Sequence, residues 1–179
     1  MNLHTNRSFN SIQSGLILNL SMTAMGAITL PTPGINELHA EARAAGYSFI
    51  DTLLDDWSTG ENRFDGPGEI LMGAIEHNVL VAVGGLNLDP FAGDPAIGRI
   101  RRVYVRFAWR NLGIGRTLVT ALIDHARQHF RAVRLRAENP GAARLYQRIG
   151  FLPIEDPSAT HILPLSTGEC PGTKSIPPA

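Results

Sequence analysis

Two glycines and two arginines stand together in the run Arg110-Asn111-Leu112-Gly113-Ile114-Gly115-Arg116. The run follows a β-branched, strand-like segment and precedes a helical stripe. A helix N-terminus presents unpaired backbone amides at the positive end of its peptide dipoles. Gly113 and Gly115 remove side chains where an anion must approach the main chain. Arg110 and Arg116 place positive charge at either edge, so a phosphate-bearing ligand is the natural occupant. A Rossmann fingerprint does not fit, because Leu118 stands where its third glycine belongs. A P-loop does not fit either, since Gly-Lys-Ser/Thr is absent. On this run alone, a tight strand–helix turn with incidental glycines stays open.

Other chemically capable residues are isolated. His125 and His129 stand four apart on one helix without a third ligand or a Glu-x-x-His pattern, so no metal is expected. Cys170 is the single cysteine, in a Pro/Gly-rich tail. It excludes an internal disulfide and a multi-thiolate metal site, and a reducing, cytoplasmic setting is expected. Trp57 continues an apolar stripe and Trp109 precedes the turn; both read as packing residues.

The elements that must position the turn follow from periodicity. A β-like run from Ala27 to Leu30 precedes a Pro/Gly turn. Ile35, Leu38, Ala42 and Ala45 recur at helical spacing. Ser48 is placed to cap a second helix striped by Phe49, Ile50, Leu53, Leu54 and Trp57. After a polar loop, Thr59 to Gly68, strands are predicted over Glu69 to Ile75 and Val79 to Leu88, around a hairpin at Glu76-His77-Asn78. Ile97 to Val105 is the next strand. A long helix then carries Leu118, Val119, Leu122, Ile123, Ala126 and Phe130 on one face. Ala132 to Ala137 reads as a strand, Asn139-Pro140-Gly141 opens a helix stopped by Gly150, and Phe151 to Ile154 and His161 to Leu165 read as strands. The order β-α-α-β-β-β-α-β-α-β-β predicts an α/β (mixed α+β) fold, with one mixed, mostly antiparallel sheet and helices on both faces.

Composition sets limits. The chain has 179 residues, 44% of them hydrophobic and 18% charged, which suits one globular domain. Sixteen basic residues balance sixteen acidic ones, so no net charge recruits nucleic acid or an anionic membrane. Locally, Arg99, Arg101, Arg102, Arg106, Arg110 and Arg116 crowd together with no acid between Asp94 and Asp124. A basic patch on a neutral protein suits a small anionic ligand. Gly15 to Leu30 is apolar but short and interrupted, and only Arg7 precedes it as a positive side chain, so neither a membrane span nor a signal peptide is expected. Met22 and Met25 suggest a later natural start. Residues 1–25 therefore read as an extension, 26–165 as the domain and 166–179 as a Pro/Gly-rich tail.

Two motifs together resemble the GNAT superfamily of N-acetyltransferases. Arg102-Val103-Tyr104-Val105, a spacer, and the run from Arg110 to Arg116 look like its central motif. Glu138-Asn139-Pro140-Gly141-Ala142-Ala143-Arg144-Leu145-Tyr146-Gln147-Arg148-Ile149-Gly150-Phe151 is similar to its second. The likeness spans roughly Ile97 to Ile154, with matching element order from about Ala27; the first twenty-five residues have no counterpart.

That resemblance implies an enzyme using acetyl-coenzyme A (acetyl-CoA) as co-substrate, without a metal, to acetylate a primary amine by direct attack in a ternary complex. It implies that backbone near Val103, Tyr104 and Val105 pairs with the pantetheine arm where the strand splays from its neighbour. The amides of Asn111, Leu112, Gly113, Ile114, Gly115 and Arg116 hold the pyrophosphate. Asn139 bonds the pantetheine or stiffens the adjoining loop, and Tyr146 points its hydroxyl at the sulfur. Phenols titrate near ~10 and thiols near ~8.5, so Tyr146 stabilises the leaving thiolate by a hydrogen bond more readily than by full proton transfer. Glu69, Glu76, Asp65 or a water relay stand as alternatives for the general base. The acceptor is unspecified, small molecule or protein amine, and dimerisation is an expectation of family likeness alone. Competing expectations are a non-catalytic acyl-CoA sensor on the same fold and a nucleotide-binding regulator.

Overall fold

The computed structural model describes residues 23–165. Cys170, Met22 and the tail from 166 lie outside them, as does all of the extension except residues 23–25. One seven-stranded sheet has the order β1-β2-β3-β4-β5-β7-β6. Its strands are β1 (Ala24–Ala27), β2 (Ile70–Glu76), β3 (Val79–Leu88), β4 (Ile97–Val105), β5 (Ala132–Leu135), β6 (Leu152–Pro153) and β7 (His161–Pro164). Only β4 and β5 run parallel; every other neighbouring pair is antiparallel.

Helices α1 (Ile35–Ala44) and α2 (Phe49–Thr59) cover one face, and α3 (Ile114–Ala126) and α4 (Pro140–Ile149) the other. Of the predicted α3 stripe, Leu118, Val119, Leu122, Ile123 and Ala126 are buried against Val81, Leu86 and Ile100; α3 ends at Ala126, so Phe130 joins the same core from beyond the helix. On the opposite face Ile35, Leu38, Ala42, Ile50 and Leu53 pack on Leu71, Leu80, Val83 and Tyr104. Two cores, one on each side of β3 and β4, clamp those central strands.

Other local expectations need correction: β5 ends at Leu135, short of the expected Ala137. β1 occupies 24–27, not 27–30, so Ala24 and Met25 belong to the sheet. The Ile28 amide donates to the Leu71 carbonyl, and Ile28 and Leu30 then turn into the second core instead of extending the edge strand. Glu76 belongs to β2, leaving a two-residue hairpin. His77 (φ 47°) and Asn78 (φ 63°) are both left-handed there, the conformation of a type I′ turn. Ser48 precedes α2 but makes no side-chain cap, because it already has helix-like angles (φ −98°, ψ −6°) where a cap residue is extended.

Candidate active site

β4 and β5 pair only from Ile97↔Ala132 to Arg99↔Arg134, and beyond Arg99 the strands part. The separation coincides with an irregularity in β4. Val83 faces Tyr104 while Gly85 faces Arg101, so β4 advances three residues against two of β3. The extra residue is Arg102, held left-handed at φ 59°. Its guanidinium donates to Asp56 Oδ2 of α2 at 3.2 Å, which ties the bulge to the helix above it.

The wedge opens into a cleft of about 850 Å³, walled by β4 and the start of α3 on one side and by residues 136–148 on the other. Of the predicted site residues, all but Leu112 and Ile114 line it: Leu112 is 66% exposed on the turn's outer side, and the Ile114 side chain is buried in the core. The strand's pleat orients the backbone. The Arg106 amide donates to the Val81 carbonyl, and Tyr104 is in the same register. Backbone direction alternates, so Tyr104 pairs with β3 while the amides and carbonyls of Val103 and Val105 face the wedge. Tyr104 therefore contributes its side chain alone.

At the cleft mouth, Asn111 (φ 62°) and Gly113 (φ 83°) reverse the chain, and Gly113 caps α3. The first intrahelical bond of this turn runs from the Thr117 amide to the Gly113 carbonyl. The amides of Ile114, Gly115 and Arg116 therefore have no partner within the helix. The two glycines have different physical jobs. Gly113 satisfies a left-handed backbone, and a Cβ there would meet nothing within 4 Å. At Gly115 a Cβ would lie 3.3 Å from Val105 Cγ2, so this glycine lets the helix sit close on the strand. Arg110 bends back: its Nε donates to the Val105 carbonyl at 2.8 Å, and its guanidinium lies 4.0 Å from the Phe107 ring centre. Arg116 is exposed. An anionic group seated on the turn and an extended chain running down the wedge fit this surface.

Tyr146, on α4, is 6% exposed and lines the cleft, edge-on to Phe151 at 5.7 Å. Burial, then the charge of Glu138, pushes its hydroxyl up to about 12. The phenol is thus a proton holder, suited to donating a hydrogen bond. Asn139 caps α4: its Oδ1 accepts from the Ala142 amide at 2.9 Å, and its Nδ2 donates to the Tyr47 hydroxyl at 3.1 Å.

None of the three carboxylates considered as bases reaches the cleft. Glu69 accepts from Asn87 Nδ2 (3.0 Å) and the Leu88 amide (2.9 Å), Glu76 is buried and accepts from Thr23, and Asp65 is exposed elsewhere. Glu138 is the one carboxylate among the described residues that lines the cleft. Sequence reasoning also missed Tyr47, from the α1–α2 connection, and Phe49, the first residue of α2, which line the wedge, and Glu41. From α1, Glu41 accepts from the Tyr104 hydroxyl (3.1 Å) and the Phe107 amide (2.6 Å) and so fixes the short 3₁₀ turn (Phe107–Trp109) leading into the glycine turn before α3. No local pattern announces such a contact, which spans more than sixty residues. His125 and His129 do not share a helix, since α3 ends at Ala126; their rings lie tilted at 4.9 Å, and no cluster of three metal-ligating side chains occurs among the described residues. No helix among them is long and apolar enough to cross a membrane.

The acetyltransferase (GNAT) family model matches residues 34–151, most of the chain. No curated protein sequence matches it. Among solved structures, a candidate acetyltransferase from Exiguobacterium sp. 255-15 is 24% identical, with a TM-score of 0.73 over 81% of this chain and 95% of that one. A GNAT family N-acetyltransferase of Escherichia coli, solved with CoA, is 16% identical with a TM-score of 0.62, over 80% of this chain and 82% of that one. The ribosomal-protein-S18-alanine N-acetyltransferase of Escherichia coli is 16% identical with a TM-score of 0.60, over 86% of this chain and all of its own. At these identities the likeness is one of fold.

Proposed function

This chain belongs to the acetyltransferase (GNAT) family, and from that premise we propose that it moves the acetyl group of acetyl-CoA to a primary amine in a ternary complex. The observation that carries the proposal is the row of unpaired amides at 114–116, set at the mouth of the wedge between β4 and β5. The CoA bound by a structural relative supports the same choice of ligand.

In this mechanism the amides of the turn and Arg116 hold the pyrophosphate. The Val103 and Val105 backbone groups hold the pantetheine arm, once Arg110 yields the Val105 carbonyl. Acetyl-CoA supplies the activated thioester. A wedge-facing amide of β4 polarises the carbonyl, and the two reactants are held in contact. Tyr146 donates a hydrogen bond to the sulfur as charge grows there. With its hydroxyl at about 12 against ~8.5 for an ordinary thiol, full proton transfer is uphill by about 5 kcal/mol, so the phenol stays protonated. The amine sheds its proton through water, with Glu138 the carboxylate on the wall.

Titration calorimetry with CoA and with ATP, followed by thiol detection over an amine panel, tests the proposal. Binding of CoA but not ATP, with amine-dependent thiol release, is expected. Tight CoA binding without release on any amine would make the chain a sensor, and ATP binding in place of CoA a nucleotide-binding regulator.

A further inference from the structure

We propose that the amine acceptor carries a carboxylate and that Arg101 holds it in the far arm of the cleft, a role that presupposes the acetyl transfer above. The cleft follows β4 from Arg99 to the anion turn. At ~3.3 Å per residue, Arg101 lies ~13 Å up the strand from Val105, on the opposite side of the reaction centre from the pyrophosphate seat. That arm belongs to the acceptor.

The arm is cationic. Arg99, Arg101, Arg102 and Arg136 line it against Glu138 alone. Three of these arginines are already engaged. Arg99 lies 3.5 Å from Asp89 and donates to the Ser158 carbonyl at 2.6 Å, and Arg102 is bound to Asp56. Arg136 is exposed and donates to the Pro157 carbonyl.

Arg101 differs. Its side chain makes no hydrogen bond or ion pair with any described residue, yet it is half-buried. Burial, then the neighbouring Arg102, lowers its pKa, and a guanidinium still keeps its charge. Three acids lie close enough for their charge to be felt there: Asp56, Asp89 and Glu69. Each is occupied. Asp56 serves Arg102, Asp89 is shared by Arg99 and Arg134 at 3.5 Å each, and Glu69 accepts from Asn87 and the Leu88 amide. A half-buried fork with five donors, on the acceptor's side of the reacting carbonyl, matches a carboxylate in two-point contact. A polyamine or a lysine-rich peptide would be repelled by the same wall. An amino acid and an acidic side chain of a peptide present this same group.

The test uses the full chain with acetyl-CoA and follows thiol release. One arm offers the common amino acids against their carboxamides. A second offers an Asp/Glu tetrapeptide against its Asn/Gln counterpart, which separates a free amino acid from an acidic peptide. Carboxylate acceptors are expected to exceed their amides by ~10- to 100-fold in kcat/KM, as a charge-assisted contact implies. Arg101→Gln should collapse that ratio towards unity with CoA affinity unchanged, and Arg101→Lys should restore part of it. Amides or polyamines turned over as well as the acids, or a ratio that survives in Arg101→Gln, would overturn the assignment while leaving acetyl transfer standing. Absence of thiol release with every amine would remove acetyl transfer and this inference together.

Discussion

Glu41→Ala tests whether the anion turn is held in place from α1. The carboxylate accepts from the Tyr104 hydroxyl and the Phe107 amide, and Arg106 Nε lies 3.5 Å from its second oxygen. Tyr104 is only 3% exposed, so loss of its acceptor strands a buried hydroxyl, at a cost of about 2 kcal/mol. Phe107 is exposed, and its amide can turn to water, so that bond contributes about 1 kcal/mol. The Arg106 contact is partly solvated and adds less than about 1 kcal/mol. Destabilisation of about 3 kcal/mol follows, a fall in Tm of about 6–12 °C for a chain of this length. Glu41→Gln, which keeps a carbonyl for Tyr104, should lose about half as much. A double-mutant cycle with Tyr104→Phe, read by thermal and denaturant unfolding, should give a coupling of about 1 kcal/mol or more. A Tm within about 2 °C of the parent, or strict additivity in the cycle, would refute the role given to Glu41.

Three further outcomes are expected. Tyr146→Phe should lower kcat by ~10²-fold with CoA affinity intact, since the ring contact with Phe151 survives and only the sulfur's donor is lost; steady-state kinetics with calorimetry checks this. Tyr104 and Tyr146 are both raised to about 12 from an ordinary 10. The folded state thus retains protons that the unfolded chain releases, and their stabilisation is full below pH 10 and lost as pH rises towards 12. Denaturant midpoints between pH 8 and pH 11.5 should fall more steeply in the parent than in the Tyr104→Phe, Tyr146→Phe double variant. Gly113→Ala should cost about 1–2 kcal/mol through its left-handed backbone alone, as the new methyl meets nothing, and Gly113→Asn should cost less; equal losses in thermal melts would contradict that cause.

What was legible in the residues was local. β4 was visible as a β-branched run, α3 as an apolar stripe, and α4 between Asn139-Pro140 and Gly150, because each is specified by neighbours a few positions away. The turn before α3 was legible for the same reason: glycines between a strand and an apolar helical stripe mark a tight strand–helix connection. What stayed hidden depends on contacts between distant segments. Glu41 looks like any exposed helix acid until α1 meets β4. Glu69 looks available until Asn87 and the Leu88 amide occupy it. Arg101 and Arg102 are adjacent arginines of one strand, yet the bulge and Asp56 neutralise one and leave the other unpartnered. Ser48 shows that the right residue type at the right place does not make a cap when its own backbone is already helical.

The central claim is that backbone amides at the start of α3 seat the pyrophosphate of CoA. Amide resonances of an isotope-labelled chain, followed while CoA is added, test it most directly. The largest movements should fall on Gly113, Ile114, Gly115 and Arg116, and inorganic pyrophosphate should reproduce their direction. Saturable CoA binding that leaves those four amides still while others move would contradict it.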